Sequence, residues 1–524
     1  MISTQINQSH YTAYQPYMLL DFEVSFQNDV LMDDLSITIL EVLRRIPLNQ
    51  FIDFHHLDPR SYDPVMMLTL ILLAFAEDGY ASLRKLEKLC RYDVRYRSIS
   101  NGVVPSYKSF QRFINNTLKG SIETIAKEIY LYVQDEKALE EQILYIDGTK
   151  FEANANKMTF CWKGWSKRYL PRHWQKCMEL LRQVNRYFKK HEIDIHYSIL
   201  KYPNIEYMIK IDEALEKWLK EKRHIRKGRG KHEIAKLCGE LKKSAVKMWQ
   251  YAMQDDILGE RNSFSKTDPD ATFMHMKYDY YNHTNVFKPG YNVQIGVSNG
   301  YIAYQYISSD VNDIKTLQPF TEGYKGQYGS YPKMEVTDAG YGSYENYNYC
   351  KSKGIKGILK YNGYEKKKEK VNDKNRYHLR HMERRADGTP VCPAGHVFEI
   401  EKIGVDIRGQ YPKTTMYYRN KNCERCEQRD KCTRSKKGRS ARIVPALEKQ
   451  HKEIDEYLKS EEGKAMMRKR SAQAEGAFAD IKQDFEYARL RRRGESGVNV
   501  EVTLVCIGYN LRKYHNRKRA KKMN

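Results

Sequence analysis

The order of predicted strands and helices in the middle of the chain is the feature that most constrains its fold. Residues 142–157 alternate apolar and polar side chains, which is typical of a strand. Residues 290–310 predict a hairpin that turns at Asn299–Gly300. Further along we expect a helix over 311–325, a strand over 333–343, a helix over 344–354 and a strand over 354–361. This order predicts an α/β fold built on a mixed sheet.

Shifts in composition divide the chain into modules. Near its start we expect a helix that begins at Pro64 after the cap Asp63 and ends near Gly79, and a second helix capped by Ser82. The basic helices of this segment indicate either a helix-turn-helix that binds DNA or a small bundle whose charges face water. The expected modules are a helical DNA-binding domain (15–135), a sheet-based core (136–157 with 285–363 and 445–515), a helical insertion (158–284), a Cys-rich module (364–444) and a disordered basic tail (516–524).

The charge of the chain favours a polyanionic partner. Lys and Arg number 91 against 66 Asp and Glu, which gives a net charge of +25 and a pI near 9.3. Such a surplus is typical of proteins that bind nucleic acid. The apolar and aromatic content excludes the collagen-like, fully disordered and disulfide-scaffold classes.

The sequence predicts neither a membrane span nor a secretory leader. The most apolar run, Val65–Ala76, has 12 residues, whereas a span needs about 20. Residues 1–20 lack a basic start, a long apolar stretch and a cleavage site. Four of the ten Cys residues cluster, which indicates a metal site in a reducing compartment. We therefore expect a cytoplasmic protein with no membrane partner.

Three acidic residues suggest a metal-dependent site. Asp147 and Asp338 stand at the ends of predicted strands, where the ligand sites of open α/β sheets gather, and Glu475 shares a helix face with Lys482. Three carboxylates suit a pair of magnesium ions that act in phosphodiester chemistry, with Lys482 and Arg470 contacting phosphates. Taken singly, such an Asp is more often a turn or cap residue, and such a Glu is more often solvated surface.

Four cysteines predict a structural zinc site. Cys423 and Cys426 form a C-x2-C pair, Cys432 follows, and Cys392 lies upstream before a Pro-Ala-Gly turn. Zinc favours four thiolates in a closed tetrahedron, and His396 could replace one of them. The alternative is a set of reduced surface thiols. The other six cysteines are expected in the core.

Three further features carry no assigned chemistry. Residues 259–273 hold Asp268 and Asp270 in a loop rich in Ser, Thr and Pro, which a turn explains. Asp310 and Asp313 are expected to cap the next helix. The basic segment with Trp162, Trp165 and Trp174 favours core packing over stacking on a flipped base.

Six ordered motifs resemble the DDE transposases of bacterial insertion sequences. They are YIDGTKFEANANK, GERNSFSKTDPDATFM, GYNVQIGVSNG, VTDAGYGSYEN, RSAQAEGAFADIK and TLVCIGYNLRKYH, and the resemblance extends over about residues 15–515. It implies a ribonuclease H-like core in which Asp147, Asp338 and Glu475 bind two magnesium or manganese ions. Arg470 and Lys482 match the Arg and Lys of the family's Glu-helix signature. One departure is that Arg468 and Ser471 stand where relatives have Tyr and Arg, seven and four residues before the Glu.

The resemblance implies a transposase that binds terminal inverted repeats and target DNA, cleaves the element ends and joins them. Two ends must be held together, so a homodimer on DNA is expected. Two other classes stay open. One is a metal-dependent DNA nuclease without strand joining, and the other is a DNA-binding relic without catalysis.

Overall fold

The computed structural model describes residues 30–50, 62–222, 233–276 and 286–523. Within these ranges, seven α-helices precede the central sheet. Parts of the expected modules therefore lie outside the described ranges. They include residues 15–29 and 51–61 of the N-terminal domain, residues 223–232 and 277–284 of the insertion, and residue 524 of the tail. The helices are α1 (Leu35–Arg45), α2 (Pro64–Asp78), α3 (Leu83–Tyr92), α4 (Val94–Ile99), α5 (Tyr107–Arg112), α6 (Ile122–Val133) and α7 (Glu136–Glu141).

The predicted boundaries of α2 are confirmed. The carboxylate of Asp63 accepts a 2.7 Å hydrogen bond from Met66 N, and Gly79 ends the helix with a φ of 68°. Ser82 caps α3 as expected, since its hydroxyl accepts from Lys85 N at 3.2 Å. Among the described residues no single helix is long and apolar enough to cross a membrane; α2 and α3, bent by 103°, pass the same test only as a pair.

A helical insertion with its own core follows the first strand. The first strand is β1 (Ile143–Glu152), which belongs to the central sheet. The segment after it comprises β2 (Phe160–Trp162), α8 (Lys163–Lys190), α9 (Ile205–Glu221), α10 (Glu233–Leu258), β3 (Ser263–Ser265) and β4 (Thr272–His275). Side chains such as Trp174, Phe188 and Met248 fill the space between α8, α9 and α10. Trp174 is thus a core residue, as expected.

A mixed sheet forms the centre of the fold. Besides β1 and β4, its strands are β5 (Phe287–Ser298), β6 (Tyr301–Ser308), β7 (Met334–Gly342) and β8 (Lys356–Tyr361). Helix α11 (Leu317–Tyr328) connects β6 to β7, and α12 (Tyr344–Ser352) connects β7 to β8. The strand order is β6–β5–β1–β7–β8, with β4 also on the outer edge of β5. β6, β5 and β1 are antiparallel neighbours, whereas β1, β7 and β8 are parallel. The predicted order of elements is confirmed.

The hairpin between β5 and β6 turns where the sequence predicts. Asn299 and Gly300 have φ of 49° and 82°. Positive φ at both central positions is typical of a type I′ turn, whose twist matches that of the paired strands.

The Cys-rich module is a small sheet with a separate core. Its elements are α13 (Tyr364–Lys368), β9 (Glu383–Arg384), β10 (Pro390–Val391), β11 (Glu399–Asp406), β12 (Lys413–Arg419), α14 (Arg429–Cys432) and β13 (Ser440–Ile443). Strands β11, β12 and β13 pair in that order. Phe398, Tyr418 and Ile443 are buried on the covered face of this sheet.

The C-terminal segment is helical to its last described residue. It comprises α15 (Pro445–Lys459), α16 (Glu461–Arg470), α17 (Gly476–Ala479) and α18 (Glu495–Met523), with π-type turns at Ser471–Glu475 and Asp480–Asp484. The expected disorder of the basic tail is wrong, because α18 continues through it. Arg517 donates to Asn299 O at 2.9 Å and Lys518 pairs with Glu41, which holds the basic end against the fold.

The N-terminal helices share one core with the sheet and α18, rather than enclosing a core of their own. Helix α2 is apolar on all sides, and therefore needs neighbours all around it. Helix α18 supplies one of them. A Cβ built on Gly508 would lie 2.6 Å from Phe75 O, so the two helices approach too closely for a side chain.

We predict that Gly508→Ala destabilises the protein by about 1–3 kcal/mol, because the added methyl group would push α18 away from α2. The matched control is Gly239→Ala in α10, where an added Cβ meets nothing within 4 Å and helix propensity favours Ala by up to about 1 kcal/mol. Thermal unfolding of both variants tests the difference. An unchanged melting temperature for Gly508→Ala would contradict the close packing.

Candidate active site

Asp147 and Asp338 lie where two parallel strands separate. The last β1–β7 pair is Tyr145 with Val336, and each Asp follows two residues later on its strand. Side chains alternate along strands, so both carboxylates lie on the same face of the sheet. The expectation that they end their strands is wrong, because β1 continues to Glu152 along β5 and β7 continues to Gly342. The divergence of the strands opens the space into which both side chains project.

Arg470 brings the third acid to this place. It is only 7% exposed, and its Nη2 donates to Glu475 Oε1 while its Nη1 lies 3.8 Å from Asp147 Oδ1. Ser471 Oγ donates to the other oxygen of Glu475 at 2.7 Å. The acids expected from the sequence thus converge around one buried guanidinium.

A π-type turn explains the unusual spacing of Arg470 and Glu475. In a regular α-helix, residues five apart point about 140° away from each other. The turn at Ser471–Glu475 closes with wider, five-residue hydrogen bonding, so Arg470 and Glu475 face the same side. An Arg five residues before the Glu therefore reaches its carboxylate.

Lys482 braces the acidic helix against β1. Its Nζ donates to Thr149 Oγ1 at 2.7 Å and to Lys150 O at 2.9 Å, and it lies 4.5 Å from the centre of the Phe151 ring. These contacts fix the helix beside the strand that carries Asp147. Contact of Lys482 with a phosphate stays a prediction.

Burial and mutual repulsion raise the pKa values of the two aspartates. Burial is the main cause that raises the pKa of Asp147 from 3.8 to about 6; Arg470 opposes this shift, while Asp338 and Glu475 add to it. Burial also raises the pKa of Asp338, although the Gly340 N–H, which donates to it at 2.8 Å, and Arg470 favour its ionised form. Perturbed acids that share a site are typical of functional positions.

Asp313 is a fourth acid at this site that sequence reasoning missed. Its Oδ1 accepts from Asn292 Nδ2 at 2.7 Å and from Gln294 Nε2 at 3.2 Å, while Tyr341 donates to Gln294 Oε1. A Cβ built on Gly340 would lie 3.0 Å from Asp338 Oδ1 and 3.1 Å from Asp313 Oδ2, which places both carboxylates beside this glycine.

The expected capping role of Asp310 and Asp313 is therefore wrong. The residue at the start of α11 is Thr316, and no side-chain cap is present there. The signal for Asp313 was the pair of amides, Asn292 and Gln294, inside an otherwise apolar strand. Both are fully buried and need hydrogen-bond partners.

The donor atoms suit a hard divalent cation, but their placement is not that of a coordination shell. Within the described ranges, no three His, Cys, Asp or Glu side chains form a group that could hold a metal ion. Arg470 lies among the acids instead, and its buried Nε and Nη1 have no hydrogen-bond partner. Carboxylate oxygens are the ligands that magnesium prefers.

The four cysteines expected as zinc ligands line one small cavity of about 20 Å³, together with His396. His396 N donates to Cys392 Sγ and Arg439 N donates to Cys423 Sγ, each at 3.3 Å. Burial and the other three thiols raise the pKa of Cys432, while Arg439 lowers it. The remaining cysteines are buried, as expected: Cys90, Cys161, Cys177, Cys238, Cys350 and Cys506.

The segment 259–273 fastens α18 to the sheet. Asp268 Oδ1 accepts from Tyr291 OH at 2.9 Å and from Gly494 N at 3.1 Å, and Asp270 Oδ2 accepts from Glu495 N at 2.9 Å. Asp268 and Asp270 thus accept hydrogen bonds from backbone N–H groups at the start of α18, where a helix leaves its first N–H groups without partners inside the helix. A structural role accounts for them.

Two of the three tryptophans lie in an aromatic cluster at the base of the insertion. Trp162 and Trp165 contact Phe160, and Phe160 also packs on Phe273. Trp165 is 45% exposed. Packing explains Trp162, and Trp165 stacks on Phe160.

We predict that Asp147→Asn stabilises the protein above pH 6. The pKa of Asp147 lies above its ordinary value, so folding favours the protonated acid between pH 3.8 and about 6, and ionisation at higher pH weakens the fold. The increase in the free energy of unfolding should reach up to about 3 kcal/mol at pH 8 and vanish below pH 4. Chemical unfolding at both pH values measures it, and a variant that is less stable at every pH would contradict the prediction.

Comparisons with known families support the sequence motifs. Residues 391–515 match the family described as Transposase DDE domain, and residues 37–116 match Transposase domain (DUF772). Glu475, Lys482 and the clustered cysteines fall inside the first match, whereas Asp147 and Asp338 lie outside both. No curated protein and no solved structure matches the chain. The two matches, one toward each end of the chain, support the identification of the protein as a DDE transposase of insertion sequences.

Proposed function

We propose that this transposase binds the terminal inverted repeats of its element, cleaves DNA at the element ends and joins those ends to target DNA. The observation that carries the proposal is the convergence of Asp147, Asp338 and Glu475 around the buried Arg470. The strand order β6–β5–β1–β7–β8, with both aspartates on the parallel half, supports a ribonuclease H-like core.

Asp147, Asp338 and Glu475 would hold two magnesium or manganese ions. Such ions would supply activation of a water or a 3′-hydroxyl and stabilisation of the leaving oxygen. Arg470 offsets part of the negative charge and keeps Glu475 turned toward Asp147. Lys482 fixes the helix against β1, and the amides of Asn292 and Gln294 hold Asp313 beside Asp338.

DNA would lie along the basic surfaces. The net charge of +25 supports a polyanion as partner. The N-terminal match to a transposase domain covers α1 to α5, which makes these helices the candidate for recognition of the inverted repeats. A dimer on DNA would hold the two element ends together.

We expect Asp338→Asn to abolish cleavage of a labelled duplex that carries the element end, while DNA binding is retained. The substitution keeps the size of the side chain but removes a charge that a divalent cation needs. Asp310→Asn is the matched control, since this acid takes no part in the convergence around Arg470, and it should cut like wild type. Electrophoresis of the products with magnesium and with manganese measures both.

Each other outcome favours another function. Equal cutting by wild type and Asp338→Asn would mean that Asp338 is not the second metal-binding acid. Binding without cutting by wild type under both metals would favour a DNA-binding relic. Cutting without joining of pre-cut ends to a target would favour a nuclease.

The four clustered thiols would bind one structural zinc ion. The shared cavity, the two N–H donors to sulfur and the absence of carboxylates from its lining support this site. Their present spacing is looser than a zinc site requires.

We expect the purified protein to contain about one zinc per chain and Cys426→Ser to lose it together with thermal stability. Elemental analysis measures the zinc content and a thermal melt measures stability. Cys350→Ser, at a buried cysteine far from the cluster, should retain zinc. A zinc-free wild type that melts identically with and without a chelator would contradict the site.

A further inference from the structure

Strand β11 leaves one of its edges unpaired. It hydrogen-bonds only to β12 among the described residues, and it ends the three-stranded sheet of the Cys-rich module. Six of its eight residues are exposed. A free strand edge is a template for another strand, and proteins usually protect it with prolines, inward charges or a covering segment.

An uncovered apolar row runs along this edge strand. Ile400, Ile403, Val405 and Ile407 are 52%, 58%, 62% and 76% exposed. A bulge between Ile400 and Lys402 shifts the pairing with β12, so that Ile400 lies on the same face as Ile403, Val405 and Ile407.

This row continues the covered face of the module's sheet. On β12, Met416 and Tyr418 face Ile403 and Ile400, and Tyr418 is buried in the module's core. The buried side chains of the module's core therefore cover this face on β12 and β13 but not on the edge strand β11. A contiguous apolar face with an open edge indicates a protein partner.

The charges of β11 favour a second copy of the same strand. When two copies run antiparallel with Gly404 opposite Gly404, Lys402 of each faces Asp406 of the other, and Ile403 of each faces Val405 of the other. Opposed residues lie on one face, so both kinds of pair form at once.

Neighbouring registers are worse. A register centred on Ile403 places Glu401 opposite Val405, and one centred on Val405 places Lys402 opposite Arg408. One centred on Lys402 places two lysines together. Among these registers, only the one centred on Gly404 pairs Lys402 with Asp406 and Ile403 with Val405.

We propose that β11 pairs with β11 of a second copy of this chain, antiparallel and with Gly404 at the two-fold axis, to form a continuous sheet across a homodimer. The inference does not depend on the catalytic proposal. Main-chain hydrogen bonds and the apolar pairs supply the attraction, and the charges select the register. Within one chain Asp406 already accepts from Arg408 Nε at 2.9 Å, and Lys402 of the second copy adds to this pair.

Charge exchange tests the register on the full-length protein without DNA. Wild type should sediment as a concentration-dependent dimer. Lys402→Asp and Asp406→Lys each place like charges together twice, which should raise the dimer Kd by about tenfold or more. An equimolar mixture of the two variants restores both opposite-charge pairs, so it should form a heterodimer, and the doubly exchanged chain should dimerise like wild type.

Lys217→Asp, at an exposed lysine of α9, is the matched control and should leave the Kd unchanged. Circular dichroism checks that each variant is folded; if one is not, Val405→Thr, which keeps a β-branched side chain, should raise the Kd instead. A monomeric wild type, single variants that dimerise like wild type, or a mixture that stays monomeric would each overturn the proposal.

Discussion

The buried guanidinium of Arg470 is the contact on which the arrangement of the acids depends. Asp147 and Asp338 are largely withdrawn from water and lie close to the exposed Glu475, so the three carboxylates repel each other, and without a cation they would separate or take up protons. Arg470 offsets that repulsion from the helix that also carries Glu475. Two of its nitrogen atoms have no hydrogen-bond partner, and one guanidinium offsets only part of the charge of three carboxylates, so both the hydrogen bonds and the charges of the site are incomplete. Such a site sacrifices stability for function.

Local patterns predicted the elements that depend on local forces. The alternation of 142–157, the Asn299–Gly300 turn and the Asp63–Pro64 start of α2 each follow from the chemistry of a few neighbouring residues, and each is confirmed. Asp147 and Asp338 were predicted correctly to lie on two strands, but their positions before the strand ends were not predicted. The reason is that β5 supports β1 on its other side, a pairing that periodicity does not reveal.

Features that depend on distant contacts could not be predicted in this way. Asp313 was assigned to a helix cap because its neighbours along the chain suggest one, whereas two buried amides on β5 bind it. The π-type turn that aligns Arg470 with Glu475 has no signature in composition. The basic tail looked disordered because nothing nearby neutralises it; Glu41 and the β5–β6 turn, far away in sequence, hold it in place.

The packing of α2 against α18 has a consequence for biosynthesis. Helix α2 is apolar on all sides, but its neighbour α18 leaves the ribosome only after the insertion and the Cys-rich module. The insertion and the Cys-rich module have their own cores and can fold as they emerge. The central core cannot close until α18 is made, so an interrupted chain would expose α2 to aggregation. Translation through α18 is thus a condition for closing the central core.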